Sequence, residues 1–148
     1  MDKRARSRAI GQIAALRAAE RVAAQQALGE ALAAQQAAEA DARRAEVRTN
    51  EAVGAWQAQL AEGFAPELAR ALAADLVARA AETVEARGAS ARAAEHSDAR
   101  TSAWRESDAR LRQAETLARA SRRALRRARE ERSLEAQADR ITWRWRRA

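Results

Sequence analysis

The larger apolar residues are sparse along the chain, and they return at alternating steps of three and four. Before the single proline, one such stripe runs through Leu28, Leu32, Gln35, Glu39, Ala42, Glu46, Thr49, Val53, Trp56 and Leu60. After the proline, Trp104, Leu111, Ala118 and Leu125 recur every seven residues. Steps of this kind are the heptad pattern of a coiled-coil face. The sequence therefore predicts two long helices that pack along a narrow seam, whose middle is polar or alanine.

The stretch LAEGFAPEL predicts where the first helix ends and the second begins. Gly63 suits a C-terminal cap, Pro66 suits a first helical turn, and Glu67 places an acidic group at the positive end of the helix dipole. We expect helix one over about residues 4–62, a turn at about 63–66 and helix two over about 66–146. The fold class predicted for residues 1–148 is all-α, a single long antiparallel two-helix coiled-coil hairpin.

A second apolar set lies near the C-terminal end of the predicted return helix. Leu134, Ala138, Ile141 and Trp145 are in phase with one another but displaced by two positions from the first set, which predicts a local change in helix winding between residues 125 and 134. Trp143 lies about 200° around the helix from Trp145. Both tryptophans cannot be buried against one helix, so we expect one of them to be exposed.

The composition favours helix and gives no support to a catalytic site. The chain has 45 alanines, no cysteine and one histidine, His96. Without a thiol or a second imidazole, no ordinary zinc site, cofactor site or nucleophilic dyad is predicted, and no glycine-rich phosphate loop occurs. The N-terminal residues lack the apolar core of a secretory signal, and no run of about 18 apolar residues occurs. We expect a cytoplasmic protein that is not an enzyme and has no small-molecule substrate.

The positive charge is concentrated near the two ends of the chain. Residues 1–100 carry 14 basic and 14 acidic side chains, whereas residues 101–148 carry 14 basic and 7 acidic ones, which accounts for the whole net charge of +7. A hairpin brings both ends toward one pole. The basic and tryptophan side chains expected there form the candidate protein-binding set: Arg4, Arg6, Arg8, Arg122, Arg126, Arg129, Trp143, Arg144, Trp145, Arg146 and Arg147.

Other interpretations of these residues remain open. The arginine run is also consistent with a solvated helix face or with a phosphate-binding surface, although no known nucleic-acid-binding motif accompanies it. Trp56, Leu60 and Phe64, near the turn, form a possible second contact for a partner, or they simply close the hydrophobic end of the hairpin.

Residues 101–140, TSAWRESDARLRQAETLARASRRALRRAREERSLEAQADR, resemble the C-terminal helix of a known family. The matching features are Trp104 and Arg105 at its start, Leu111 and Leu117, the arginine-rich stretch, and a charged tail with Glu131, Leu134, Glu135 and Asp139. The family is the flagellar export protein FliJ with its YscO-type relatives in virulence secretion systems. The resemblance implies an antiparallel coiled coil similar to the rotary stalk of ATP synthases.

The same resemblance implies a function without catalysis. Its members act as a stalk and chaperone-like component of type III protein export, peripheral at the cytoplasmic face of the inner membrane. The implied partners are a hexameric export ATPase, which receives the joined terminal ends in its central pore, an export gate protein and export chaperones. We therefore expect that role in flagellar export. The alternatives are a basic coiled-coil protein that associates with nucleic acid and a structural coiled-coil dimer.

Overall fold

The computed structural model describes residues 3–63 and 65–147, with the side chain of residue 147 excluded. Within these ranges the chain forms two helices, α1 (Lys3–Glu62) and α2 (Pro66–Arg147), and no strand. The two helices pack against each other in antiparallel directions. The predicted fold class, an all-α helical hairpin, is confirmed, and both helices begin and end within one residue of the expected positions.

The turn between the helices has the local chemistry that its sequence indicates. Gly63 adopts a φ of 132°, a backbone conformation that is costly for residues with a side chain. The Gln59 side-chain amide donates a hydrogen bond of 3.0 Å to the Gly63 carbonyl oxygen. Beyond the turn, the Ala69 amide donates to the Ala65 carbonyl at 2.9 Å, with Pro66 and Glu67 in the first turn of α2. Glycine and proline thus end one helix and start the next.

The chain divides into two compact units. The turn unit comprises residues 25–103, and the terminal unit comprises residues 1–24 together with 104–148. The terminal unit has 20 basic and 9 acidic side chains, a net charge of +11, whereas the turn unit has 8 basic and 12 acidic ones, a net charge of −4. The units are therefore opposite in sign, and all the excess positive charge belongs to the unit that holds both ends of the chain.

In the turn unit, α1 contributes an alanine-rich seam to the interface between the helices. Its least exposed positions alternate at steps of three and four, and half of them match the predicted stripe, including Leu28, Gln35 and Thr49. The other half lie one residue earlier than predicted. The seam positions are Leu28, Ala31, Gln35, Ala38, Ala42, Ala45, Thr49, Ala52, Trp56 and Gln59.

The predicted seam placed larger residues at these alternate positions. Glu39, Glu46 and Val53 are half-buried, but the prediction is wrong at Leu32 and Leu60, which are exposed. Leu32 and Leu60 are 44% and 54% exposed, while Ala31 and Ala45 are only 4% and 2% exposed. Alanine lets the helix backbones approach closely, so only small side chains fit between the helices, and the larger ones lie along the edges of the seam.

Two polar layers interrupt the alanine seam of the turn unit. The Thr49 hydroxyl lies 2.8 Å from that of Thr83 and also donates to the Arg79 carbonyl oxygen at 3.0 Å. The Ser97 hydroxyl donates to Gln35 Oε1 at 2.5 Å. Thr83 and Ser97 are 7% and 3% exposed, so these hydrogen bonds satisfy groups that water does not reach. A shifted pairing would lose both interhelical hydrogen bonds, although Ser97 could still donate to the Ala94 carbonyl of its own helix, so the layers favour one alignment of the helices.

In the terminal unit, α2 keeps its heptad spacing from Trp104 through Leu125. Ala114, Ala118 and Ala128 are buried, and Leu111 and Leu125 are half-buried. The predicted seven-residue recurrence of Trp104, Leu111, Ala118 and Leu125 is thus part of the interface with α1. After Ala128 every described side chain of α2 is exposed.

We call α2 residues 129–147 the overhang, because α1 does not extend far enough to cover them. Arg21 of α1 is hydrogen-bonded to Asp108 of α2. Lys3 precedes Arg21 by 18 residues, so at equal rise it lies opposite about residue 126. The predicted change in winding is therefore not needed to explain the second apolar set. Leu134 and Ile141 are 66% and 58% exposed, and no part of α1 lies beside them.

Candidate protein-binding surface of the terminal unit

The start of α1 lies beside the arginine run of α2. Lys3, Arg6 and Ile10 line one concave surface together with α2 residues from Leu117 to Leu125. Arg4, Arg6 and Arg8 are exposed in the first turns of α1, and Arg122, Arg126 and Arg129 are exposed on α2. The structure therefore brings the basic N-terminal residues and the arginine run into one unit, as a hairpin requires.

Four of the arginines form a single concave cationic surface on α2. Its lining residues are Arg119, Arg122, Arg123 and Arg126, which recur at steps of three, one and three along the helix. Only Arg119 has an ion pair among the described residues, at 3.1 Å to Glu115. Because guanidinium groups in this arrangement present many donors and no acceptor, the surface suits carboxylate or phosphate oxygens.

The two terminal tryptophans lie on the overhang, away from the start of α1. Trp143 is 57% exposed and Trp145 is 80% exposed, so both tryptophans face solvent where one was expected to be buried. Trp143 follows residue 126 by 17 positions, which corresponds to about 25 Å along the helix. The expected compact pole, with both basic ends and both tryptophans together, is corrected to a surface spread along the terminal unit.

The overhang presents its charges in two blocks. Its first part, residues 129–139, holds four acidic side chains and two arginines. Its second part holds Arg140, Arg144, Arg146 and Arg147 and no acidic residue. The described side chains of Arg144 and Arg146 are exposed, while that of Arg147 lies outside the described residues. The tip of α2 therefore combines exposed tryptophan with exposed arginine, the residue types most enriched among binding hot spots.

A charged cluster inside the terminal unit was missed by sequence reasoning. Asp108, whose side chain is 17% exposed, accepts from Arg21 at 3.2 Å and pairs with Arg112 at 2.7 Å. The Arg21 guanidinium also lies 6.0 Å from the centre of the Trp104 ring, within the range of a cation–π contact. The Trp104 Nε1 group is buried and has no hydrogen-bond acceptor among the described residues.

The signal that could have revealed this cluster is the heptad phase itself. Counting back from Leu28 in steps of seven places Arg21 in the seam. A charged seam residue requires a partner on the facing helix. The search for an acidic residue there would have pointed to Asp108.

The terminal unit also carries an apolar groove between its two helices. Ile10 and Leu117 line two adjoining concave surfaces, of about 390 and 400 Å³, with Leu125 in one and Ile13 in the other. Ile13 is 50% exposed and Leu117 is 55% exposed. Lys3, Arg6, Arg17 and Arg110 surround these residues. Sequence reasoning did not select the groove, because its residues come from both helices and flank the main seam.

The possible second contact near the turn is only partly described. Trp56 is half-buried as a seam residue, while Leu60 is 54% exposed on the edge of the seam. Phe64 lies outside the described residues. Of this set, Leu60 therefore offers the accessible apolar surface.

Other chemistry is sparse in the described parts of the chain. His96 is exposed and accepts a hydrogen bond of 3.5 Å from Arg100. Across residues 3–63 and 65–147, no group of three or more acidic or imidazole side chains is placed to hold a metal ion. Neither helix, over the same ranges, has an apolar stretch long enough to cross a bilayer.

Comparison with known proteins adds no relative: no family model, no curated protein and no solved structure matches this chain.

Proposed function

We propose that this protein is a non-catalytic stalk and chaperone-like component of a type III protein export apparatus, of the flagellar kind. In this proposal the terminal unit docks into the central opening of a hexameric export ATPase, and the hairpin helps to couple that ATPase to an export gate protein and to export chaperones. The protein would act in the cytoplasm and reach the inner membrane only through these partners.

The observation that carries the proposal is the division of charge between the two units. A net charge of +11 on the unit that contains both chain ends, against −4 on the other, orients the molecule toward an acidic partner. Such a field raises the rate of encounter and favours one end-on approach. This division of charge suits a stalk that inserts its basic unit into an acidic ring.

The overhang supplies the shape and the contacts for insertion. It is a single exposed helix of 19 residues, about 28 Å long, and is narrower than the paired helices behind it. Trp143, Trp145, Arg144 and Arg146 are exposed on it. Tryptophans that fill pockets in the ring, with arginines that meet carboxylates or carbonyl oxygens, would hold the complex once electrostatics has brought it together.

The test is stimulation of the cognate export ATPase by the purified protein. Deletion of residues 133–148 should abolish stimulation, because it removes both tryptophans and most of the overhang while α1 and its partner residues on α2 stay intact. Replacing Arg122 and Arg126 with Glu should weaken stimulation, and the difference from the natural chain should shrink as ionic strength rises, because salt screens the attraction that the two arginines supply.

The matched control replaces Arg70 and Arg92, two exposed arginines of the turn unit, with Glu. It makes the same change in net charge but should leave stimulation intact. Stimulation that survives the deletion would remove the stalk proposal. Equal losses from the two double variants would show that net charge alone matters and that the terminal unit is not the docking end.

The cationic surface also supports a second candidate function, binding to nucleic acid. Arg119, Arg122, Arg123 and Arg126 line one concavity, and phosphate oxygens suit it as well as carboxylates do. This alternative expects binding to duplex or single-stranded nucleic acid whose affinity falls steeply with salt. The absence of binding at low salt would eliminate it.

A further inference from the structure

A second apolar stripe runs along α2, beside the seam at its start and away from the seam side of the helix in the overhang. It begins in the apolar groove with Leu117, Ala120 and Ala124, which line its wall beside Ile10. It continues at alternating steps of three and four into the overhang. The full stripe is Leu117, Ala120, Ala124, Arg127, Glu131, Leu134, Ala138, Ile141 and Trp145.

This stripe explains the apolar residues that the fold leaves exposed. The set formed by Leu134, Ala138, Ile141 and Trp145 is centred about 140° around the helix from the seam that meets α1. Even a longer α1 would therefore not cover it. Leu117 is 55% exposed and Trp145 is 80% exposed, at opposite ends of the stripe. Exposed apolar residues that follow the heptad spacing over about 42 Å of helix indicate a missing helical partner.

We propose that the missing partner is the same stripe of a second copy of this chain, in antiparallel orientation about Glu131. Leu117 and Trp145 are each 14 residues from Glu131, and Ala124 and Ala138 are each 7 residues from it. Ala120 and Ile141 match to within one residue, as do Arg127 and Leu134. The stripe is thus complementary to itself under a two-fold rotation, which is the property that a two-fold symmetric interface requires.

The side chains that meet in this arrangement suit each other. Trp145 of one copy packs on Leu117 of the other and extends the apolar groove, where Ile10 and Ile13 flank it. Ile141 meets Ala120, and Ala124 meets Ala138, so these pairs contain at least one alanine each and the helices can approach. An exposed tryptophan gains more from burial than any other residue of the stripe, because it has the largest apolar surface.

The charges at the centre favour the antiparallel orientation over a parallel one. Arg127 of one copy lies one helical turn from Glu131 of the other, on both sides of the two-fold axis. Neither residue has an ion pair within the described chain, so both are available. The two Glu131 side chains face each other in either orientation, but only the antiparallel pair places an Arg127 of the other copy one turn from each of them; in a parallel pair, Arg127 would face Arg127 and repel it. The charged centre and small seam residues should make the dimer weak and concentration-dependent.

The inference does not depend on the proposed role in export, although the dimer would cover Trp145 and part of the overhang, which the proposed docking also uses. Arg122 lies about 180° around α2 from Glu131 and faces away from the second copy, whereas Arg123 lies about 80° from Glu131, next to the stripe. Trp143 lies about 200° from Trp145 and stays outside the interface as well. Of the two tryptophans of the overhang, Trp145 therefore lies in the proposed interface and Trp143 lies outside it.

Crosslinking provides the sharpest test, because the natural chain has no cysteine. Glu131→Cys places a single thiol beside its own copy at the two-fold axis, within the reach of a disulfide. Under mild oxidation it should form a covalent dimer rapidly. The control is Arg140→Cys, on the same exposed helix but about 180° from residue 131, whose two copies would lie about 27 Å apart. It should crosslink only at the slow rate of random collision.

Light scattering after size exclusion, over protein concentrations from roughly 1 to 500 µM, measures the reversible form. The natural chain should move from its mass of 16.2 kDa toward twice that value. Leu117→Glu should shift the midpoint at least tenfold upward, whereas Val84→Glu should not, because Val84 is 71% exposed but belongs to the turn unit. Arg127→Glu should weaken the dimer, and adding Glu131→Arg should restore it by exchanging the two charges.

Circular dichroism of each variant should show unchanged helix content, since the replaced side chains are exposed. A monomeric mass at all concentrations, together with equal crosslinking of the two cysteine variants, would overturn the inference. A dimer that is indifferent to Leu117→Glu and to the charge exchange would overturn it too, because the copies would then meet through another surface.

Discussion

Replacement of Ala45 by Leu tests whether alanine packing determines the distance between the helices of the turn unit. Ala45 is 2% exposed, the lowest value among the buried alanines of the chain as described. A leucine there adds three carbon atoms to a seam with no space for them. Overpacking of this kind costs about 1–3 kcal/mol. For a chain of this size, about 2–4 °C is lost per kcal/mol, so the melting temperature should fall by roughly 2–12 °C.

The assay is thermal unfolding followed by circular dichroism at a helix band, with Ala34→Leu as the control. Ala34 is exposed in the same helix and unit, and both variants exchange the same residue pair, so their intrinsic helix propensities change equally. The control should stay within about 0.5 kcal/mol of the natural chain. If Ala45→Leu raises the melting temperature, the reasoning is refuted. If Glu46→Leu raises it in the same experiment, position 46 belongs to the seam, as the sequence predicted.

Two further variants test the turn and the charged cluster. Gly63→Ala should lower the free energy of unfolding by about 1–3 kcal/mol, because a side chain is strained at a φ of 132°. The control Gly54→Ala should raise the free energy of unfolding by about 0.5–1 kcal/mol, because Gly54 lies in a helix with space for a methyl group. Arg21→Ala should destabilise more than Arg112→Ala in urea unfolding, because Arg21 is 34% exposed whereas Arg112 is 79% exposed, although both pair with Asp108. Equal effects would mean that the contact with the Trp104 ring contributes nothing.

The hairpin could be predicted because its signals are local. Gly63 and Pro66 act on the backbone within a few residues, and their effect does not depend on what packs nearby. Outside this turn, the abundant alanine, arginine and glutamate residues favour helix along most of the chain. Helix bounds correct to within one residue follow from these two facts.

The details of the seam were harder to predict because hydrophobicity was a poor guide to burial. With so many alanines, the chain offers several stripes at the same spacing, and the stripe with the largest side chains is not the one that packs. Choosing between Ala45 and Glu46, or between Ala31 and Leu32, requires knowing how closely the backbones approach. The distance between the backbones depends on the side chains of both helices, so it cannot be predicted from the apolar pattern of one helix alone.

The position of the terminal tryptophans depends on the difference in length between the two helices, which the predicted compact pole did not take into account. α1 has 60 residues and α2 has 82, so in an antiparallel hairpin with a short turn, α2 must extend beyond α1. The difference of 22 residues is close to the 19 residues of the overhang. Counting from the turn would have shown that Trp143 and Trp145 cannot meet the start of α1.

The length difference also bears on why α2 carries a second apolar set, formed by Leu134, Ala138, Ile141 and Trp145. A helix segment without an internal partner gains nothing from apolar residues unless it binds something else, since exposed apolar area does not stabilise the isolated chain. Leu134, Ile141 and Trp145 nevertheless keep the heptad spacing, and they keep it in phase with Leu117 rather than with Leu125. Spacing that is maintained where α1 is absent, and in a phase that α1 could not use, is most simply explained by a helix from another molecule.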